Sequence, residues 1–169
     1  MNNIDISVVI PVFNKGGCID RLLSSIFSQI HKLKEIIIID DGSTDESIQR
    51  IRQSQHFAHG NIKIIRQPNL GVSVARNRGM HEAQSTYVAL LDADDEWLPW
   101  HISDICSLIE KYPNCIAYSC SHKFKSAGSS QEELKGVISR DDFMLVRNFL
   151  QTASNHTILN CSTVVLNKQ

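Results

Sequence analysis

Six short apolar runs rich in β-branched residues recur along the chain, and each run predicts a buried strand. Unbroken apolar runs are typical of strands that are covered on both faces of a parallel sheet. Pro11 has no backbone N–H to give to a ladder, so we expect the first strand to end there. The apolar runs cover residues 6–12, 34–40, 62–65, 87–91, 115–121 and 162–166.

Apolar residues at spacings of three and four between these runs predict amphipathic helices. Ser43 and Glu46 fit a capping box at the start of one helix. Gly79 lies inside another predicted helix, and Pro99 suits the first turn of a third. The alternation of strands and helices predicts an α/β domain with a mainly parallel sheet. The predicted helices are 19–30, the segment from after Ser43 to Gln53, 72–83, 99–111 and 140–150, the last with Ser139 as its N-cap. The predicted loops are 54–61 and 122–136, and the second of these is expected to be mobile.

The composition is that of an ordinary globular chain: of 169 residues, 42% are hydrophobic and 21% are charged. We expect a single domain over 1–169. Lys and Arg number 17 against 18 Asp and Glu, a balance that argues against a nucleic-acid partner. No run of about 18 apolar residues is present to cross a membrane, and the first residues do not resemble a signal peptide.

The five cysteines are scattered and form no C-x-x-C pair, so they predict neither a zinc site nor a disulfide framework. They are better explained as small buried hydrophobes of a reducing compartment. The expected location is therefore the cytoplasm, with the inner face of the membrane as an alternative. These cysteines are Cys18, Cys106, Cys115, Cys120 and Cys161.

Three carboxylates follow the apolar run that ends at Leu91, namely Asp92, Asp94 and Asp95. Acids this close repel one another unless a positive charge lies among them. A hard divalent cation with oxygen ligands, shared with an anionic substrate, would supply that charge. The alternative is that these acids only cap the next helix or line a solvated loop.

Polar or turn-forming residues stand after three of the predicted strands, at 11–14, 40–41 and 92–95. Ligands of open α/β sheets bind beyond the carboxyl ends of the strands, so this convergence favours a ligand site over a solvated loop. The segment after the first strand, Pro11-Val12-Phe13-Asn14-Lys15-Gly16-Gly17, matches neither G-x-G-x-x-G nor a P-loop. A phosphate bound without a glycine nest needs a cation, which a metal on the acids, helped by an arginine, would provide.

Four segments stand out in order along the chain: Val8-Val9-Ile10-Pro11-Val12-Phe13-Asn14, Ile38-Ile39-Asp40-Asp41-Gly42-Ser43-Thr44-Asp45, Gly71-Val72-Ser73-Val74-Ala75-Arg76-Asn77-Arg78-Gly79 and Leu91-Asp92-Ala93-Asp94-Asp95. Together they resemble the successive motifs of family 2 glycosyltransferases with the GT-A fold. The resemblance is close over about the first hundred residues and looser after them. It implies a nucleotide-sugar-binding half in 1–100 and, in 101–169, the start of an acceptor-side half that is incomplete at its C-terminus.

The resemblance implies transfer of a sugar, with inversion, from a nucleotide-diphosphate donor to a glycan or other hydroxyl acceptor, as in polysaccharide biosynthesis. The donor expected first is a UDP-sugar. Asp92, Ala93 and Asp94 match the family D-x-D motif. Asp92 would contact the ribose, and Asp94 would bind Mn²⁺ or Mg²⁺ that bridges the two phosphates and stabilises the departing diphosphate.

The resemblance also assigns the base end of the donor site. Pro11 and Val12 would offer backbone contacts to the base, with Phe13 nearby, and Asp41 would accept a hydrogen bond from the base ring. Arg76 is a candidate contact for the pyrophosphate or the base side. The alternatives are that Asp41 is an acid at a helix start and that Arg76 is an exposed helix charge.

Four neighbouring residues have weaker assignments. Asp40 is expected to hold the turn after the second strand. Asp95 either orients the site or caps the next helix. Trp97 and Trp100 either stack on the acceptor sugar or pack within the protein.

Inverting transfer also needs a general base, which in this family lies in the second half of the domain. Asp141 and Asp142 lie late in the sequence but at a predicted helix start, where capping is favoured. The catalytic residue is therefore unassigned. An incomplete sheet would leave an apolar edge uncovered, so a homodimer is also expected.

Three rival functions stay open at this point: a sugar-phosphate nucleotidyltransferase, a phosphoacceptor signalling domain and a non-catalytic nucleotide-binding module. The donor-site hypothesis makes a geometric demand that separates it from them. It requires Asp41 and Asp94 on the same side of the molecule, and it fails if Asp94 is tied up by a neighbouring lysine with no open cleft.

Overall fold

The computed structural model describes residues 4–59, 61–120, 122–124, 133–135 and 161–168. The helices within these ranges are α1 (Ile19–Phe27), α2 (Ser47–Gln53), α3 (Gln55–His59), α4 (Val72–Glu82) and α5 (His101–Lys111), with 3₁₀ turns at Gly16–Cys18 and Cys161–Thr163. The strands are β1 (Ile6–Val12), β2 (Glu35–Asp40), β3 (Ile62–Arg66), β4 (Tyr87–Leu90), β5 (Ala117–Ser119), β6 (His122–Phe124), β7 (Glu133–Lys135) and β8 (Val164–Asn167).

Six of these strands form one sheet in the order β3-β2-β1-β4-β8-β5. β3, β2, β1 and β4 are parallel, whereas β8 runs antiparallel to both of its neighbours. The prediction of an α/β domain with a mainly parallel sheet is therefore confirmed. The predicted loop 122–136 was wrong in part, because β6 and β7 pair there as an antiparallel ribbon.

Successive residues of the central strands point into two different cores, which explains why their apolar runs are unbroken. Val8 and Ile10 of β1 belong to the core that α1 and α5 cover. Val9, between them, belongs to the opposite core, together with Ala75 of α4. Side chains alternate across a strand, so a sheet covered on both faces needs apolar residues at every position.

Gly79 lies in the middle of α4, where helix α4 packs against β1. A Cβ atom added at Gly79 would lie 2.2 Å from Cγ1 of Val9, which is fully buried. Any side chain would push the helix away from the sheet, so the predicted helix 72–83 needs glycine at this position.

The prediction that β1 ends at Pro11 was wrong, since β1 continues to Val12 and Pro11 pairs with Ile39 of β2. The Val12 carbonyl accepts a hydrogen bond from the Asp41 N–H on the β2 side, and the Val9 carbonyl accepts one from Leu91 N–H on the β4 side. Successive residues of β1 direct their backbone groups alternately toward β2 and β4, so an N–H at position 11 would point toward β4. The pairing of β1 with β4 ends at Val9, before that position. Pro11 is tolerated because it removes no bond to β2.

Two local predictions around residue 50 were also wrong. The polar stretch 54–61 contains α3, whose His56 ring stacks on Phe27 of α1 with centroids 4.3 Å apart. The capping box does not form, because α2 begins at Ser47 without a side-chain cap and Ser43 Oγ accepts a hydrogen bond from the Asn14 N–H instead. The predicted helix 140–150, with Asp141 and Asp142, lies outside the described residues.

The described cysteines Cys18, Cys106, Cys115 and Cys120 are free thiols. Cys106 is buried, as the sequence predicted, whereas the other three are only partly buried. Within the described ranges, none of the helices has both the length and the apolar character needed to cross a bilayer.

Candidate functional site

The loops that follow β1, β2 and β4 meet at one edge of the sheet, because the three strands are parallel and adjacent. Asp41 follows β2 and Asp94 follows β4, so the two acids lie at the same edge, as the sequence hypothesis requires. Direct contacts join the loops, since Asn14 of the β1 loop contacts the β2 loop and Lys15 contacts Asp94.

The turn after β2 is built by Asp40 and Gly42. Asp40 is 1% exposed, and its Oδ1 accepts a hydrogen bond of 2.8 Å from the Ser43 N–H. Gly42 has a φ of +83°. A Cβ atom added at Gly42 would lie 3.0 Å from the backbone nitrogen of Asn69. The expectation that Asp40 holds the turn is confirmed.

Asp41 is 4% exposed and its carboxylate accepts three hydrogen bonds from the loop before α4. Gln67 Nε2 and the Leu70 N–H donate to Oδ1 at 2.8 and 2.9 Å, and the Gly71 N–H donates to Oδ2 at 2.9 Å. Burial raises the pKa of Asp41, but these hydrogen bonds outweigh burial and the pKa is lowered. Asp41 is not an acid at a helix start, because α2 begins only at Ser47.

Asn14 was not singled out from the sequence, yet it ties the β1 loop to the β2 loop. Its backbone has a φ of 51°, a left-handed conformation that asparagine tolerates better than most residues. Its Oδ1 accepts hydrogen bonds from the Thr44 N–H at 2.8 Å and the Asp45 N–H at 3.3 Å. The polar segment after the first strand indicated a turn at this point of the sequence. Because asparagine tolerates a positive φ, Asn14 could have been identified as the residue on which the chain turns.

Arg76 of α4 and Asp92 form a partly buried ion pair. Arg76 Nη2 lies 2.6 Å from Asp92 Oδ1, and the side chains are 18% and 29% exposed. Arg76 Nε is buried and has no hydrogen-bond partner among the described residues. The Asp92 N–H donates to Ser162 Oγ at 3.0 Å. Arg76 is therefore not the exposed helix charge of the alternative interpretation.

Asp94 forms an ion pair with Lys15, a residue that sequence reasoning did not assign. Lys15 Nζ lies 2.6 Å from Asp94 Oδ2, and the side chains are 38% and 51% exposed. The hydrogen bond from Lys15 lowers the pKa of Asp94, and the same bond raises the pKa of Lys15. The neighbouring lysine that the hypothesis named as a risk is therefore present. About half of the Asp94 side chain nevertheless faces solvent, so the acid is paired but not enclosed.

The remaining residues of the predicted base site differ in exposure. Pro11 and Val12 are buried in β1, and the Val12 carbonyl accepts the Asp41 N–H at 2.8 Å. Phe13 is 43% exposed, so its ring is open to a ligand. Ala93 is 3% exposed and packs in the core between the two acids of the D-x-D segment.

Trp97 packs within the protein and is not an open stacking platform. Its side chain is 6% exposed, and its Nε1–H donates to the Ser162 carbonyl at 2.5 Å. Its ring stacks on His101, with centroids 4.8 Å apart. Burial lowers the pKa of His101 to about 4. Asp95 does not cap α5, whose N-cap residue is Trp100.

The described residues contain no group of three or more Asp, Glu, His or Cys side chains arranged to hold a metal ion. A metal here would need ligands from elsewhere. Mg²⁺-type ions commonly use one or two carboxylates and complete their coordination with substrate phosphates and water. The half-exposed Asp94 carboxylate, a hard oxygen ligand at the open end of β4, fits a metal of that kind.

Comparison with known proteins gives two results that fit this geometry. Residues 7–163 match the model of the family described as Glycosyl transferase family 2. Over 95 residues the chain is 42% identical to the uncharacterized glycosyltransferase YibD of Escherichia coli K12, an alignment that covers 56% of this chain and 27% of YibD. The chain therefore spans about a quarter of the length of that relative.

Solved structures share the fold. Residues 1–349 of S. aureus TarS, solved in complex with UDP, align with a TM-score of 0.72 and 21% identity over 96% of this chain and 46% of that one. The mannosyltransferase PcManGT of Pyrobaculum calidifontis, solved with GDP-Man and Mn²⁺, aligns with a TM-score of 0.62 and 23% identity over 68% of this chain and 34% of that one. The fold is the GT-A fold of these transferases, and the chain belongs to glycosyl transferase family 2.

Proposed function

We propose that this chain binds a nucleoside-diphosphate sugar, in the first instance a UDP-sugar, and provides the donor-binding part of a glycosyltransferase. The observation that carries the proposal is that Asp41, the Arg76–Asp92 pair and Asp94 lie at one edge of the sheet, at the carboxyl ends of β2 and β4 on either side of β1. Family membership sets aside the nucleotidyltransferase and phosphoacceptor alternatives. UDP in the TarS structure supports the choice of nucleotide.

The base of the donor would lie over the end of β1 beside Asp41. Oδ2 of Asp41 accepts only the Gly71 N–H among the described donors, so a lone pair is left for the N–H of a base. Phe13, at 43% exposure, offers a ring on which the base can stack. Pro11 and Val12 would contribute backbone contacts.

The ribose and the diphosphate would follow toward β4. Asp92 is held by Arg76 at 2.6 Å and would accept hydrogen bonds from the ribose hydroxyls. Asp94 would hold Mn²⁺ or Mg²⁺, and such an ion supplies Lewis-acid stabilisation of the departing diphosphate. The Mn²⁺ in the PcManGT structure supports this assignment. Arg76, whose Nε has no partner among the described residues, would offer that N–H to the pyrophosphate.

Inversion, the hydroxyl acceptor and a role in polysaccharide synthesis are parts of the same proposal. The division into a donor half at 1–100 and an acceptor-side half at 101–169 stays a prediction, as do the general base and the cytoplasmic location. Ile116, which is 81% exposed beside edge strand β5, supports the homodimer.

Thermal unfolding with UDP or GDP, each with and without Mn²⁺, tests the proposal. With ligand at about 100 times Kd, binding should stabilise the fold by about 2.7 kcal/mol. At about 2–4 °C per kcal/mol for a chain of this size, the Tm should rise by roughly 5–11 °C. The rise should be larger with UDP than with GDP and should require Mn²⁺.

An Asp94→Asn variant provides the control, because it keeps the shape of the side chain and removes its charge. It should lose the Mn²⁺-dependent part of the Tm increase. If no nucleotide raises the Tm of the unaltered chain, with or without Mn²⁺, the proposal is wrong.

A further inference from the structure

Lys15 is the one residue of the β1 loop that reaches across the site to an acid on the β4 side among the contacts described. Its Nζ lies 2.6 Å from Asp94 Oδ2, the carboxylate assigned above to the divalent cation. An ammonium and a divalent cation on the same carboxylate repel each other strongly at such distances. The two positive charges must therefore compete for Asp94.

The backbone that carries Lys15 is fixed, although its side chain is not. The Lys15 N–H donates to Ser47 Oγ at 2.8 Å, and the next residue, Gly16, donates its N–H to Asp45 Oδ2 at 2.9 Å. The Lys15 side chain is 38% exposed and can rotate about this anchored position. Displacement from Asp94 would therefore leave the ammonium within one side-chain length of the same place.

We propose that Lys15 has two partners in turn, Asp94 before the divalent cation binds and the donor diphosphate afterwards. The inference rests on the proposed function, in which the diphosphate shares the cation held by Asp94. The displaced ammonium then lies beside phosphate oxygens, with which it forms charge-assisted hydrogen bonds. Lys15 thus opposes binding of the cation alone and favours binding of the cation and nucleotide together.

This arrangement answers a problem set by the sequence. The chain has no glycine nest of the P-loop type after β1, so phosphate charge must be met by side chains and metal. A lysine at the position where a P-loop would begin meets part of that charge. While no nucleotide is bound, the same lysine neutralises Asp94, which lies among other acids.

Two binding titrations of a Lys15→Met variant test the inference, and the affinity is expected to change in opposite directions in the two. Binding of Mn²⁺ alone, followed by water-proton relaxation, should become about two- to fivefold tighter, the range expected when an exposed ion pair is removed. Binding of UDP at saturating Mn²⁺, followed by calorimetry, should become weaker by about threefold or more, because a charged partner of the phosphates is lost. Lys15→Arg keeps the charge and should stay close to the unaltered chain in both titrations.

Lys63→Met is the matched control. Lys63 forms an ion pair of the same length, 2.6 Å, with Glu82, but at the start of β3 and the end of α4 rather than at the carboxyl edge. This variant should leave both affinities unchanged. A general effect of net charge would instead shift Mn²⁺ binding equally in Lys63→Met and Lys15→Met, and that result would overturn the inference.

The outcomes also separate this inference from the proposed function. If Asp94→Asn abolishes Mn²⁺ binding while Lys15→Met leaves it unchanged, the metal assignment stands and the role of Lys15 is wrong. If Lys15→Met weakens Mn²⁺ and UDP binding alike, Lys15 only supports the site and the inference is again wrong. If Asp94→Asn does not alter Mn²⁺ binding, the metal assignment of the proposed function itself fails.

Discussion

Asp41 and Asp94 are the same residue type at the same edge of the same sheet, yet their surroundings are opposite. Asp41 is 4% exposed and accepts three hydrogen bonds from one loop. The Asp94 side chain is 51% exposed and forms an ion pair with Lys15, whose side chain is 38% exposed. We call the surroundings of Asp41 the fixed side and those of Asp94 the exchangeable side.

If the proposed function is right, the difference is a division of labour within one donor site. On the fixed side, folding already holds the Asp41 carboxylate in one orientation. A base that binds there would therefore meet a preorganised hydrogen-bond acceptor. On the exchangeable side the acid is held in an ion pair of small net strength, which a stronger cation can replace. A site that binds a nucleotide and a metal together needs both kinds of acid.

Asp41→Ala should have the largest effect of the changes considered, because it leaves the Leu70 N–H, the Gly71 N–H and the Gln67 amide without their acceptor. Each orphaned donor costs on the order of 1 kcal/mol, so urea unfolding should show a loss of about 3 kcal/mol. The pKa of Asp41 is lowered in the folded state, so its stabilisation is complete above the ordinary carboxyl pKa and declines as the pH falls.

The deficit of Asp41→Ala relative to the unaltered chain should accordingly shrink in strong acid. Asp94→Ala, measured in parallel, is the comparison variant. If it costs as much as Asp41→Ala, the distinction between a fixed and an exchangeable side is mistaken.

His101 should give the next largest effect; its ring stacks on Trp97, which follows the Asp94 segment in the chain. Burial lowers its pKa to about 4, and an unfolded histidine titrates near 6.5. The unfolded state therefore binds the proton first, and stability falls as the pH drops from about 6.5 toward 4. Between pH 7 and pH 5 this group alone should remove roughly 2 kcal/mol of unfolding free energy.

His101→Phe keeps a ring against Trp97 and removes the titration. Its loss of stability between pH 7 and pH 5 should be smaller than that of the unaltered chain by that amount. Equal acid sensitivity in the two proteins would show that His101 is not the titrating group.

The sequence predicted the sheet and the shared edge at which these acids lie, for a simple physical reason. Unbroken apolar runs identify strands covered on both faces, and parallel neighbours bring their carboxyl ends together. Asp41, Asp92 and Asp94 could therefore be placed at one edge from their positions after the strands alone. The roles assigned to them for a donor stay predictions.

Long-range side-chain contacts could not be predicted in the same way. Lys15 and Asp94 are 79 residues apart in sequence, and their contact depends on how the β1 loop turns at Asn14, whose φ is 51°. The helix α3 was missed because its sequence is polar, although Phe57 packs against the core. The periodicity of apolar residues indicates which positions are buried in helices and strands. It does not indicate how the loops between them bend.

Gly79→Ala should have a smaller effect, on the packing of α4 that supports the fixed side. The new methyl group would meet Val9 Cγ1 at 2.2 Å, and overpacking of this kind costs about 1–3 kcal/mol. The higher helix propensity of alanine offsets part of this loss of stability, by up to about 1 kcal/mol. The net loss in urea unfolding should be about 1 kcal/mol.

Gly17→Ala is the control for that variant, because nothing lies within 4 Å of a Cβ placed there. Its unfolding free energy should be the same as that of the unaltered chain within about 0.5 kcal/mol. A neutral or stabilising Gly79→Ala would mean that α4 can move off the sheet without cost, and the fixed side would then be less rigid than its contacts indicate.

Asp94→Asn should have the smallest effect on stability and sharpens the comparison most. The ion pair with Lys15 is exposed, so its loss should change the unfolding free energy by less than about 1 kcal/mol, and added salt should reduce that difference further. The same variant should nevertheless lose its response to Mn²⁺, because the lost charge is the one assigned to the cation. A side chain with little influence on folding and a large influence on metal binding is what an exchangeable acid requires. A loss of 2 kcal/mol or more, insensitive to salt, would instead place Asp94 with Asp41 among the acids that hold the fold together.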